Sequence, residues 1–193
     1  YFYIWYDTTG SKAPDLIDIN ENGVPDYIDE VGIIADSARK VIVEVMRYQH
    51  APFDADSIYD IYVKVYPPKS FGHCLNEGNG ISYLEIDNDY SGNNSSYGQT
   101  PLKIMQLTVA HEYFHAIQYG YQNKPRSDAY FYEMTSMWIE DVIVPDGNDY
   151  LEGKWIDDLF DNPEGKFDNR WPKCTNCDGE GYDLALFGHY LSS

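Results

Sequence analysis

His111-Glu112-Tyr113-Phe114-His115 is the stretch of this chain best equipped for chemistry. In a helix, residues four apart face the same way one turn apart, so His111 and His115 would stand side by side. Two neutral imidazoles can hold one zinc ion. A carboxylate beside the first ligand can take a proton from the water that the ion activates. The motif therefore makes His111 and His115 candidate zinc ligands and Glu112 a candidate general base. A catalytic zinc takes three protein ligands and leaves a fourth position for water. The candidates for the third are Glu133, Glu140 and Asp141 in the next helical run, with His189 further on. Glu133 sits early in that run, where a short turn between helices can bring it back against the first.

The elements that must position these residues follow from the spacing of apolar side chains. Ile104, Leu107, Ala110, Phe114 and Ile117 make one side of a helix over 102–121, and Gly120 suits its end. A second helix is expected over 129–144, stopped before Pro145. Upstream, the aromatic and β-branched residues of 1–6 predict a strand, followed by a polar loop over 8–23. Ile28, Val31, Ile34, Ala35, Ala38, Ile42, Val45 and Met46 predict a long amphipathic helix from Pro25 or Tyr27 to about Tyr48. Ser57 to Tyr66 alternates as a strand with one face in the core, ended by Pro67-Pro68. Gly72 to Gly80 is expected to be a loop, 81–87 a strand and 88–100 a polar loop. Residues 146–181 should be irregular, with short helical pieces such as 150–160, and a last helix is expected over 182–191. Strands first and helices after predict an α+β domain with helices against one small sheet. At 193 residues one domain is the default. The run ending at Ser193 is helix-like, which suggests a piece of something longer.

A second constellation lies near the start. Asp18-Ile19-Asn20-Glu21-Asn22-Gly23-Val24-Pro25-Asp26-Tyr27-Ile28-Asp29 matches the EF-hand loop pattern, with Asp in place of Glu at the twelfth position. Side-chain oxygens of Asp18, Asn20, Asn22, Asp26 and Asp29, with the Val24 carbonyl, could surround one Ca²⁺. Gly23 allows the sharp turn. Pro25 and the short Asp29 set the loop apart from paired sensor EF-hands and liken it to single extracellular calcium loops. Its expected role is structural, pinning the first strand to the first helix; Asp87 and Asp89 are candidates for a second calcium position. Without an ion, the same acids would cap a helix N-terminus.

Composition narrows the partners. The formal net charge is −19, which repels phosphate backbones and argues against nucleic-acid binding. No run approaches the roughly 20 apolar residues that a membrane helix needs. Cys174-x-x-Cys177 reads as a short disulfide tying its loop, with Cys74 free, or else Cys74 pairs with one of the two and leaves the other over; a zinc knuckle or redox pair are the alternatives. Asn93 and Asn94 begin overlapping N-x-S triplets, candidate glycosylation sites in a secreted protein.

Taken together, HEYFH and the following YEMTSMWIED resemble the gluzincin zinc metallopeptidases, the thermolysin-like group. ISYLEIDNDY, AHEYFHAIQYGY, FYEMTSMWIED with VIVPDGNDY, and YDLALFGHYL, with the aspartate-rich N-terminal segment, resemble more specifically a mainly bacterial family of secreted metalloproteases. The resemblance implies a zincin-like fold, and Glu133 as the third zinc ligand, although the family commonly has Gly where this chain has Met134. It implies Glu140 as a residue orienting a ligand histidine, against a solvated helix face for it and for Asp141. It also implies Tyr182 as a second oxyanion donor, with His189 as the alternative, and 81–87 as the strand that pairs with substrate. The expectation is an extracellular or cell-surface, calcium-stabilised zinc endopeptidase acting on peptide or protein substrates. The alternatives are a self-assembling or cell-surface structural protein on a peptidase-like fold, suited by 19 tyrosines and the acidic charge, and a zinc hydrolase of other substrates.

Overall fold

Side chains alternate between a more buried and a more exposed face along β1 (Phe2–Trp5), β2 (Tyr59–Lys64) and β4 (Ile81–Asp87), and β3 (Gly72–Gly78) joins them in a sheet of order β1-β2-β4-β3. The computed structural model describes residues 1–68, 70–91, 99–121, 129–151, 154–161, 163–165 and 181–193. They fall into two compact units, Tyr1–Asn123 and Lys124–Ser193. The class is α+β, and the sheet is mixed: β1 with β2 and β2 with β4 are parallel, β3 with β4 antiparallel.

In the first unit Tyr59, Ile61, Val63, Leu84 and Ile86 are buried. Two helices pack with them: α1 (Asp26–Arg39) against β1 and α2 (Pro101–Tyr121) against β3, β4 and α1. Ile28, Val31, Ile34, Ala35 and Ala38 form the buried stripe of α1. Tyr113 of α2 meets Phe2 and Tyr59 edge-on, with ring centroids 5.3 and 5.7 Å apart. The start of α2 is fixed by Thr100, whose Oγ1 accepts the Lys103 N–H at 3.2 Å, with Pro101 in the first helical position. The opposite face of the sheet leaves Tyr3 and Trp5 exposed.

Two expectations are corrected. Gly72 to Gly80 is no loop: it is strand β3 and a two-residue hairpin turn. Asn79 and Gly80 have φ of 55° and 82°, the paired positive values that an Asn-Gly turn of the I′ type requires. The glycines and asparagines that suggest a loop are what the hairpin needs. Nor is the first helix regular to Tyr48. After Arg39 it widens into a π-helical turn, Lys40–Val45, with the Met46 N–H donating to the Val41 carbonyl at 2.9 Å. Three consecutive β-branched residues, Val41 to Val43, crowd a regular turn there.

Asp87 closes β4. Its buried carboxylate accepts the backbone N–H groups of Tyr66, Asn88 and Tyr90 at 2.9, 3.0 and 3.2 Å. Burial pushes its pKa up, against the lowering effect of those bonds. Asp89 accepts the Ser91 N–H at 2.7 Å. Both side chains thus brace the turn that follows β4. The Tyr27 hydroxyl donates to the Asp87 carbonyl and ties α1 to the end of β4.

The second unit holds α3 (Ala129–Ile143), α4 (Lys154–Asp161), a 3₁₀ turn (Tyr182–Leu184) and α5 (Ala185–Ser192), with α3 packed against α5 and the turn. Gly181 enters that turn with φ +109°, and a Cβ there would lie 2.1 Å from the Tyr130 carbonyl oxygen. Gly181→Ala should therefore destabilise the protein by about 2–4 kcal/mol, read as a lower urea midpoint; an unchanged midpoint would mean that the turn does not need this close approach. Among the described residues no helix is long and apolar enough to cross a membrane. Asn93, Asn94, Cys174 and Cys177 lie outside the described residues, and so do the glycosylation and disulfide readings that rest on them.

Candidate metal centre

The H-E-x-x-H segment lies in the middle of α2, where nearly every side is buried. His111 and His115 are 6% and 7% exposed, so their ring nitrogens need partners within the protein or an ion. Their Nε2 atoms face each other at 3.1 Å. Two nitrogens bound tetrahedrally at the usual zinc distance stand about 3.3 Å apart, so the helix presents the pair almost at ligand spacing. His115 Nδ1 contacts Gln118 Oε1 at 2.7 Å; an amide oxygen accepts, so the contact suits a proton on Nδ1 and a lone pair on the Nε2 that faces His111.

Glu112 points to the sheet. The Cys74 N–H of β3 donates to its Oε2 at 2.7 Å. The bond fixes the carboxylate beside the strand and leaves a second oxygen for other work. Nearby, the Tyr66 hydroxyl donates to Glu85 Oε2 at 3.0 Å. Burial holds the Tyr66 phenol neutral, helped by Glu85 and by the charge of Glu112. Cys74 makes no disulfide among the described residues; its sulfur lies 3.9 Å from the Tyr59 hydroxyl.

Glu133 lies in the second turn of α3 and is half-buried. Among the described residues, His111, His115 and Glu133 form a group in which one ligand atom from each lies within 4.8 Å of the others. The donor set, two imidazoles and a carboxylate, is one that zinc accepts in catalytic sites, so the residues present fit a metal ion.

Glu140 is 3% exposed, which removes the solvated-face reading for it. Asp141 Oδ1 accepts the Asn148 N–H at 2.9 Å and its Oδ2 lies 3.2 Å from His189 Nε2. Burial raises the Asp141 pKa, partly offset by these two partners. His189 also stacks on Tyr150 at 4.8 Å, so its ring is engaged in packing within its own unit. Tyr182 packs against Met137, Tyr150 and Ala185. The expected substrate-pairing strand is corrected: β4 lies between β2 and β3, and the edge strand beside Glu112 is β3. Sequence reasoning also missed Gln118, although its i+3 spacing from His115 is a readable signal.

In the Asp18–Asp29 loop the side chains converge around the turn. Asp18 accepts the N–H groups of Asn22 and Gly23 at 3.2 and 2.9 Å. Asn20 and Asn22 both donate to Asp29 Oδ2, at 3.0 and 2.8 Å. Asp26 accepts the Ile19 N–H and so braces the loop from its helix end. The Gly23 φ of +89° is the special conformation that the sixth loop position demands. The backbone of Val24 donates to Asn22 Oδ1 at 2.7 Å.

No protein-family model, curated protein or solved structure matches this chain.

Proposed function

We propose that the protein is a zinc-dependent endopeptidase of gluzincin type, with a zincin-like arrangement of its sheet and helices. The observation that carries this reading is the grouping of His111, His115 and Glu133, joined to the placement of Glu112 against β3. His111, His115 and Glu133 hold the metal. A bound zinc ion supplies Lewis acidity and a water that ionises near neutral pH. Glu112 accepts the proton of the attacking water and hands it to the leaving amine. The edge of β3 offers backbone groups for an extended peptide, a pairing that a substrate without a peptide backbone could not make. Glu140 supports the ligands from α3, and Tyr182 is the proposed second donor to the developing oxyanion. Metal analysis with a peptide-library cleavage assay tests the reading: one zinc per chain and cleavage abolished by chelator are expected, and a chain that cleaves equally well without metal would overturn it.

The Asp18–Asp29 loop is proposed to hold one structural Ca²⁺, with the Asn20 and Asn22 amides turned to present oxygen. Calcium at about 100 times its Kd stabilises a folded chain by about 2.7 kcal/mol, which for this size raises Tm by roughly 5–10 °C. That rise should appear in thermal melts with calcium against chelator and vanish in Asp18→Ala and Asp29→Ala. Calcium use and the acidic surface support an extracellular or cell-surface setting.

A further inference from the structure

Gln118 has no part in the reaction as drawn above, yet it makes a short contact with one of the two paired histidines. It lies one turn beyond His115 on α2, and its Oε1 stands 2.7 Å from His115 Nδ1. A neutral imidazole carries one proton, and the nitrogen that holds it is set by the partner of the other. An amide oxygen can only accept, so this contact requires the proton on Nδ1. The Nε2 lone pair is then aimed at His111 Nε2, 3.1 Å away. With the proton on Nε2 instead, the ring would present a hydrogen where a cation must sit. Both rings are almost fully enclosed, so water cannot easily supply the missing acceptor. The helix thus carries both ligands and a group placed to prepare one of them.

We propose that Gln118 is a positioning residue for the metal centre: by accepting the Nδ1 proton of His115 it locks the tautomer and ring orientation that present Nε2 to the ion. The proposal rests on the reading of His111 and His115 as ligands. Outer partners of this kind typically affect metal affinity by 10–100-fold.

The test uses the whole chain with ¹⁵N-labelled histidine, as wild type, Gln118→Leu and Gln118→Glu. The tautomer of His115 is read in the metal-free chain by long-range ¹H–¹⁵N correlation at a pH where the ring is neutral. Zinc affinity is read by competition with a chelating dye. In the wild type His115 should be protonated at Nδ1. Gln118→Leu should mix the tautomers and weaken zinc by about 10–100-fold; Gln118→Glu, which keeps an acceptor, should restore both readouts. A Gln118→Leu chain with unchanged tautomer and affinity within twofold would overturn the proposal, and so would a Gln118→Glu chain as impaired as Gln118→Leu. If the wild type binds no zinc, the metal reading fails, and the tautomer populations of the metal-free chain still decide whether Gln118 orients His115.

Discussion

Glu112→Gln should leave the metal bound and reduce peptide hydrolysis by about 10²–10⁴-fold, the usual weight of a general acid–base group. The two side chains have nearly the same shape. The amide oxygen of Gln can still accept the Cys74 N–H that now reaches Glu112 Oε2, so the strand and the helix need not move. What is lost is the ability to hold a proton. Glu112 is not among the three grouped ligand residues, so the metal content should stay near one per chain. His115→Ala differs: it removes a ligand and should lose metal and activity together. Metal content and turnover measured on both variants separate the roles. Substantial turnover in Glu112→Gln would remove Glu112 as the base, whatever the metal does.

How far the sequence carries this site depends on which interactions are local. The helical run around His111 is readable because the ligand pair, the apolar side and the end signal all lie within one segment. The structure starts it one residue earlier, at Pro101. The second helix also falls within a residue of its expected end. What was not legible depends on partners far along the chain. β3 has no β-branched residue, and its pairing is specified by β4 and by the turn at Asn79-Gly80. Placing β3 as the edge strand then changes which strand stands beside Glu112. The acidic residues show the same limit. Asp87 looks like a spare metal ligand in sequence, but its three N–H donors come from a turn and from Tyr66 across the sheet. Gln118, by contrast, is local: it lies three residues beyond His115 in the same helix, and its signal is the spacing alone.

Gly72→Ala should harm both stability and catalysis, because Gly72 sits where the strand bearing the Cys74 N–H crosses the helix bearing Glu112. A Cβ at this position would lie 2.7 Å from the Glu85 carbonyl oxygen and 2.8 Å from Thr108 Cγ2. The first contact is backbone of the neighbouring strand, and the second is a buried side chain of α2, itself 8% exposed. Neither can swing away freely. The added methyl must therefore push β3 away from β4 or from α2, at an expected cost of about 1–3 kcal/mol for overpacking. The displacement also acts on the chemistry. Cys74 is two residues along the same strand, and its N–H bond to Glu112 spans 2.7 Å. A shift approaching 1 Å at a reacting group can cost about 10²-fold in rate, so a loss of 10–100-fold is expected even where the chain is still folded. Zinc affinity should change little, because His111 and His115 are both carried by α2 and their Nε2–Nε2 separation is set within that helix. The pattern to look for is a lower unfolding midpoint and a lower kcat at nearly normal zinc affinity. Full activity in a destabilised Gly72→Ala chain would show that the position of β3 does not control Glu112.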